Sequence, residues 1–207
     1  MAHFKKLALV AAVTLIAVIS VGAVWKEFFH YQVFPKRFGV VEQGEIYRSG
    51  QLHGTLVSRV LEENKIKVVI DLQYFEDKPN ILAEMSAIEQ LGITQYRFPL
   101  NGNGTGDIES YVSAIRQIHE SVGRGEPVLV HCSAGAQRTG GVLAAYRTLL
   151  QGKSVDFVTE EMARYDWDPD DDRAVLQYLD ENIEVLAQRL VEEGVLAAPP
   201  EQMPRFL

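Results

Sequence analysis

The run Val128-Leu129-Val130-His131-Cys132-Ser133-Ala134-Gly135-Ala136-Gln137-Arg138-Thr139-Gly140 joins an apolar strand to an Ala/Leu-rich segment through a short loop. It also holds the single cysteine of the chain. A short continuous apolar run of this kind reads as a strand buried on both faces, and such strands belong to largely parallel sheets covered by helices. Five residues separate Cys132 from Arg138. That is enough for a loop curled around one centre, with successive backbone N–H groups turned inward as in anion-binding nests and helix starts. Gly135 permits the left-handed backbone such a curl needs.

These residue types suit a thiolate meeting a phosphate. A free thiol, with a pKa of about 8.5, is mostly protonated at neutral pH unless positive charge or a helix N-terminus stabilises the anion. Cys132 has both in its own loop. Arg138 offers a planar fork of donors for two phosphate oxygens, a geometry that lysine does not reproduce. The Thr139 hydroxyl can donate to the sulfur and help it leave. Cys132, Arg138 and Thr139 are therefore the expected catalytic set, and Ser133, Ala134, Gly135, Ala136, Gln137 and Arg138 the expected phosphate cradle. A lone cysteine after a strand is usually a small buried hydrophobe, but the joint pattern of strand, His-Cys, five residues, Arg-Thr-Gly and helix is far narrower.

The stretch HCSAGAQRTG resembles, without a gap, the signature of the cysteine-dependent phosphatase superfamily: His-Cys, five residues, Arg, then Ser or Thr. The likeness extends upstream to Ile46-Tyr47-Arg48-Ser49-Gly50-Gln51-Leu52 and Val68-Val69-Ile70-Asp71-Leu72, which look like landmarks of small, atypical dual-specificity and bacterial tyrosine phosphatases. It covers about residues 38 to 185. The resemblance implies that Cys132 attacks phosphorus, that a phosphocysteine forms and is hydrolysed by water, and that no metal or other cofactor takes part. A rhodanese-type sulfurtransferase loop typically has four residues before the position of Arg138; five favours phosphate.

The resemblance also implies a general acid, an Asp on a loop about thirty residues before the cysteine. Here that loop, Leu100-Asn101-Gly102-Asn103-Gly104-Thr105-Gly106-Asp107, contains one carboxylate, Asp107, 25 residues before Cys132. Capping a helix that begins at Ile108 is an equally good use of it. Asp77 ranks second. Asp168 ranks third, within an acidic turn around Trp167 and Pro169 of the kind that commonly starts a helix. His131 is expected to order the loop, and Arg48 and Asp71 to brace it. His3, His30, His53 and His119 show no metal-ligand spacing, so no metal site is expected.

The 28 acidic and 20 basic residues give a formal charge of -8, which argues against nucleic acid as a partner. The expected substrate is a phosphorylated protein, phosphotyrosine first, or another small phosphomonoester. Ser133, Ala134, Ala136 and Gln137 are neutral, whereas relatives acting on inositol phosphates often carry lysines there. A phosphoinositide or inositol phosphate phosphatase is the alternative, and a silent phosphate-binding module tethered to a membrane is a third. Residues 7–25 carry no charge and follow Lys5 and Lys6, long enough to cross a bilayer as a helix. Three segments are expected: a membrane anchor or uncleaved signal at 1–30, the phosphatase domain at 31–195, and an irregular tail at 196–207. An amino-terminal span leaves the domain outside the cytoplasm, in a periplasmic position. Secretion after cleavage near Val21-Gly22-Ala23, or a cytoplasmic-facing domain, are the alternatives.

Hydrophobic spacing predicts strands at 38–42, 45–48, 66–72, 93–98 and 127–131, and helices at 55–64, 79–91, from 107 onward, 140–150, 154–165 and 171–193. The expected architecture is α/β, a central, mostly parallel sheet flanked by helices on both faces. Cys132 then stands at a strand's carboxyl end, where such sheets place ligands.

Overall fold

Five strands, β1 (Gly39–Glu42), β2 (Ile46–Gly50), β3 (Val68–Asp71), β4 (Thr94–Arg97) and β5 (Val128–Cys132), form a sheet in the order β1-β2-β5-β3-β4. β1 runs antiparallel to β2, and the other pairs are parallel. The helices of the same unit are α1 (Val57–Glu63), α2 (Pro79–Leu91), α3 (Ile108–Gly123), α4 (Gln137–Gln151), α5 (Val155–Ala163) and α6 (Ala174–Glu192). The computed structural model describes residues 29–207 and, before them, residues 6, 14–16, 18–20, 22 and 25. It separates into the units Met1–Phe34 and Pro35–Leu207.

Local chemistry explains the boundaries. Asp107 and Ser154 cap α3 and α5, accepting from the N–H groups of Glu109 and Phe157. Gly92 and Gly152 end α2 and α4 in the left-handed conformation (φ 64° at each) that favours glycine. Helix α4 starts at Gln137, inside the motif, because the Ala136 carbonyl already accepts from Gly140 N at 2.7 Å. The expected start at 140 is thus one turn late, and Arg138 and Thr139 lie in the first turn of the helix. Helix α6 starts at Ala174, since residues 168–172 are spent on a turn in which Asp172 N donates to the Asp168 carbonyl.

The strand period of two decides which side chains meet. Val128, Val130 and Cys132 pack with Ile115 of α3, Leu143 of α4 and Ile183 of α6. Leu129 packs on the other face with Val60 of α1 and Ile88 of α2. Consequently His131 and Cys132 point to opposite faces. Gly50 pairs with Cys132 and Asp71 with His131, so the ends of three parallel strands converge where the motif loop begins.

The tail after Gly194 lacks regular structure. It is nonetheless fastened: Phe206 is buried, and the N–H groups of Phe206 and Leu207 donate to the Asp180 carboxylate. The membrane anchor expected at 1–30, and the periplasmic placement built on it, require correction. Among the described residues no helix is long and apolar enough to cross a membrane, a task that takes about 20 residues. The helical stretches described there are residues 14–16 and 18–20 and the turn His30–Val33. Most of the 7–25 run lies outside the described residues.

Candidate active site

Cys132 is fully buried at the end of β5. The loop that follows turns at Gly135, where φ is +83° and an added Cβ would stand 2.5 Å from Gly50 N and 2.8 Å from Ser49 C. Both are backbone atoms, so only glycine fits. The turn aims Gly135 N–H at the sulfur, to which it donates at 3.0 Å. Burial pushes the Cys132 thiol up, but the Arg138 charge, the Thr139 hydroxyl and the N–H groups of Gly135 and Thr139 outweigh it and hold the thiol below its ordinary range. The first turn of α4 adds the positive end of its dipole.

Arg138 Nη1 reaches the Leu72 carbonyl at 3.4 Å, while its buried Nε has no partner among the described residues. Thr139 Oγ1 is likewise buried. It favours the thiolate electrostatically without completing a hydrogen bond to it or to any other described group. Buried donors left this way are costly unless something else accepts from them.

The outside of the loop is held by cations. Arg48 Nη2 donates to the Gly135 carbonyl at 2.7 Å, and its guanidinium lies 3.9 Å over the Tyr165 ring. Burial lowers Arg48 to about 10, which still leaves it charged at neutral pH. Lys36 Nζ donates to the Ser133 carbonyl at 3.1 Å and Arg37 Nη1 to the Ala134 carbonyl at 2.7 Å. The bracing expected of Arg48 is therefore present. Lys36 and Arg37 were not singled out by their sequence, because a contact 97 positions away leaves no local pattern.

Behind β5, His131 lies 3.1 Å from Glu84 Oε1 and 3.9 Å from Asp71 Oδ1. The approach is that of an ion pair, since neither ring nitrogen makes an aligned hydrogen bond. Burial lowers the imidazole pKa, but Glu84 and then Asp71 more than offset this and raise it to about 9. Asp71 does not brace the motif loop. Its carboxylate accepts from Gln73 N at 2.9 Å and Arg97 Nε at 2.9 Å. Asp71, Glu84 and His131 are close enough to surround a cation. Their chemistry does not fit one: Arg97 holds Asp71, Gln51 and Gln95 donate to Glu84 at 2.7 and 3.2 Å, and a metal would sit beside a guanidinium.

The carboxylates proposed as acid fall in three settings. Asp107 is exposed and accepts from Glu109 N at 3.0 Å as the cap of α3. The loop before it lies against α6 and the start of the motif helix, for a Cβ on Gly104 would stand 2.7 Å from Val175 Cγ2 and 3.3 Å from the Gln137 carbonyl. Asp77 is exposed in the loop after β3. Asp168 accepts from Asp170 N at 2.8 Å within its own turn, and that turn touches the motif through Asp172, whose Oδ1 accepts from Gln137 Nε2 at 2.7 Å.

Residues 51–152 match the family described as Tc-R-P: Polymorphic toxin system, DSP-PTPase phosphatase. The dual specificity protein phosphatase TpbA of Pseudomonas aeruginosa (strain UCBPP-PA14) is 28% identical over 127 residues, covering 61% of this chain and 54% of the relative. The chain spans about half the length of the curated relatives it matches. The crystal structure of P. aeruginosa TpbA is similar with a TM-score of 0.60 and 25% identity, over 76% of this chain and 91% of that one. The core catalytic domain of the PP-IP phosphatase SIW14 from S. cerevisiae, solved with citrate, shares the fold. Its TM-score is 0.59 at 24% identity, over 80% of this chain and 98% of that one.

Proposed function

The chain belongs to the cysteine-dependent dual-specificity phosphatase superfamily, and from that premise we propose that it hydrolyses phosphomonoesters through a phosphocysteine, with phosphotyrosine in a protein as first substrate. The observation that carries this reading is the pairing of Cys132 Sγ with Gly135 N–H at 3.0 Å, with the Arg138 charge favouring the thiolate. A sulfur held as thiolate there faces the phosphorus of any phosphate whose oxygens accept from the loop N–H groups and the Arg138 fork. Phosphoryl transfer asks the protein mainly for such positioning and charge stabilisation.

In the first step the sulfur lone pair forms the S–P bond while the bond from phosphorus to the leaving oxygen breaks, and Asp107 gives that oxygen its proton. Only Asp107 Oδ1 is engaged in the cap of α3, and the glycines of its loop permit the movement that proton transfer asks of it. In the second step water attacks phosphorus, its proton returns to Asp107, and the S–P bond breaks with the electrons going back to sulfur. The Thr139 hydroxyl and the N–H of Gly135 stabilise the departing thiolate. A single phosphate suits the site because the side chains at Ser133, Ala134 and Ala136 are neutral and Lys36 and Arg37 are bonded to the loop's own carbonyls.

Turnover of para-nitrophenyl phosphate at mildly acidic pH tests the reading. The Cys132→Ser variant is expected to lose activity by about 10⁴-fold or more. Phosphate binding without turnover by the wild type would overturn it in favour of a silent binding module. Asp107→Asn is expected to slow an alkyl phosphate about 100-fold and an aryl phosphate less, since an aryl oxide leaves without help. A normal alkyl rate would move the acid role to Asp77. Phosphopeptides and inositol phosphates assayed side by side then separate the substrate classes.

A further inference from the structure

We propose that Lys36 and Arg37, from the segment leading into β1, are positioning residues of the phosphate loop: by holding two loop carbonyls outward they turn the following N–H groups inward. The inference rests on the phosphatase reading above and adds to it residues outside the signature. A trans peptide is planar, and its C=O and the next residue's N–H point in opposite directions. Fixing the oxygen of residue i therefore fixes the direction of the donor of residue i+1.

The Ala134–Gly135 peptide shows both ends of this arrangement at once. Its oxygen accepts from Arg37 Nη1 at 2.7 Å, and its N–H donates to Cys132 Sγ at 3.0 Å. A cation on the oxygen also polarises the peptide and strengthens the opposite N–H as a donor. Lys36 does the same for the Ser133–Ala134 peptide at 3.1 Å, and Arg48 for the Gly135–Ala136 peptide at 2.7 Å. Three successive peptides are thus gripped from outside by three cations.

Arg37 is itself held in place. Its Nε donates to Asp166 Oδ2 at 2.8 Å, so one guanidinium bridges the acidic turn and the loop. Lysine, a single point of donation, cannot make both contacts with the same geometry. Lys36 crosses Gly50 closely, where a Cβ would meet Lys36 Cδ at 2.9 Å, and Gly50 N donates to the Lys36 carbonyl at 2.7 Å. Burial and the neighbouring Arg37 charge lower the Lys36 pKa, and the charge of Cys132 works against them.

The test is the pH dependence of Cys132 alkylation by iodoacetamide in the full chain, which reads the thiolate without requiring turnover. Arg37→Ala is expected to move the alkylation midpoint to higher pH and to lower kcat/KM for para-nitrophenyl phosphate about tenfold, the effect of one charge-assisted hydrogen bond. Lys36→Ala should move both in the same direction by less. Arg37→Lys should recover part of the shift, and Arg124→Ala, on a distant surface, should change neither. Circular dichroism checks folding. Should Arg37→Ala not fold, Asp166→Asn leaves the cation in place, loosens its grip and is expected to give a smaller upward shift. Alkylation curves of Arg37→Ala, or failing that Asp166→Asn, that overlay the wild type overturn the inference alone. A wild-type thiol with an ordinary alkylation curve overturns the phosphatase reading itself.

Discussion

On the α1/α2 face of β5, His131 lies among charges that answer one another. Asp71 pairs with Arg97 at 2.9 Å, Glu84 stands 3.1 Å from the imidazole, and Gln51 and Gln95 fill the other Glu84 contacts. One residue later, on the α3/α4 face, Cys132 accepts from Gly135 N–H at 3.0 Å and is favoured as thiolate by the Arg138 charge and the Thr139 hydroxyl. A buried charge costs several kcal/mol unless it is paired. The first arrangement balances its charges internally and serves the fold. The second leaves Arg138 Nε and Thr139 Oγ1 without acceptors among the described residues, which suits an anion from outside; on the first face both His131 ring nitrogens and Arg97 Nη2 also lack an aligned hydrogen bond, but carboxylates there supply the countercharge. Strand alternation alone keeps these two environments apart.

The two faces should therefore fail differently. Arg138→Lys keeps the charge but loses the fork, and kcat/KM is expected to fall about 1,000-fold while the urea unfolding midpoint stays close to the wild-type value. Glu84→Ala leaves His131 and Arg97 with one carboxylate between them, and is expected to cost about 3 kcal/mol of stability in the same unfolding measurement. An Arg138 variant that unfolds as readily as the Glu84 variant would erase the distinction.

Gly135→Ala probes the boundary between the faces. The new methyl group would meet the backbone of Ser49 and Gly50 within 2.8 Å at a φ of +83°, so β2 or the loop must shift. We expect a loss of about 2 kcal/mol in unfolding, together with an upward move of the alkylation midpoint of Cys132. Gly44→Ala has open space around its Cβ and shares only the positive φ, so it should cost less and leave the thiol unaltered.

What could be read in advance follows the same division. The motif face was legible because strand, cysteine, glycine and arginine are consecutive, and each residue type has one efficient use there. The alternating apolar strands and capped helices likewise placed the sheet and its layers. The charge-balanced face was not legible, since Asp71, Glu84, Arg97 and His131 come from four elements, and the strand registers Asp71–His131 and Asp71–Arg97 that gather three of them leave no local pattern. Lys36 and Arg37 escaped notice for the same reason. The apolar run at 7–25 misled because hydropathy alone satisfies the criterion for a membrane span, whereas no described helix is both long and apolar enough to cross one.

The smallest effect is the pH dependence of stability, where the two faces carry opposite signs. The folded-state value of His131, about 9, lies above its ordinary 6.5 despite burial, because Glu84 and Asp71 favour the charged ring. Its contribution is therefore fully present below pH 6.5 and is lost as pH rises through about 9, at no more than about 1.4 kcal/mol per pH unit for one proton. Cys132 is held below its ordinary value, so its contribution is present above the unfolded thiol pKa and is lost as pH falls through the folded one. Urea midpoints of Cys132→Ser, which lacks the opposing thiol, should decline from pH 6.5 towards 9. Glu84→Gln removes the strongest support of the imidazolium, so the decline should shrink and move to lower pH. In the wild type the decline should be shallower below the unfolded thiol pKa, because the Cys132 contribution grows with pH there. A Cys132→Ser midpoint that stays level or climbs through this window would mean that His131 is not held as the charged partner of Glu84.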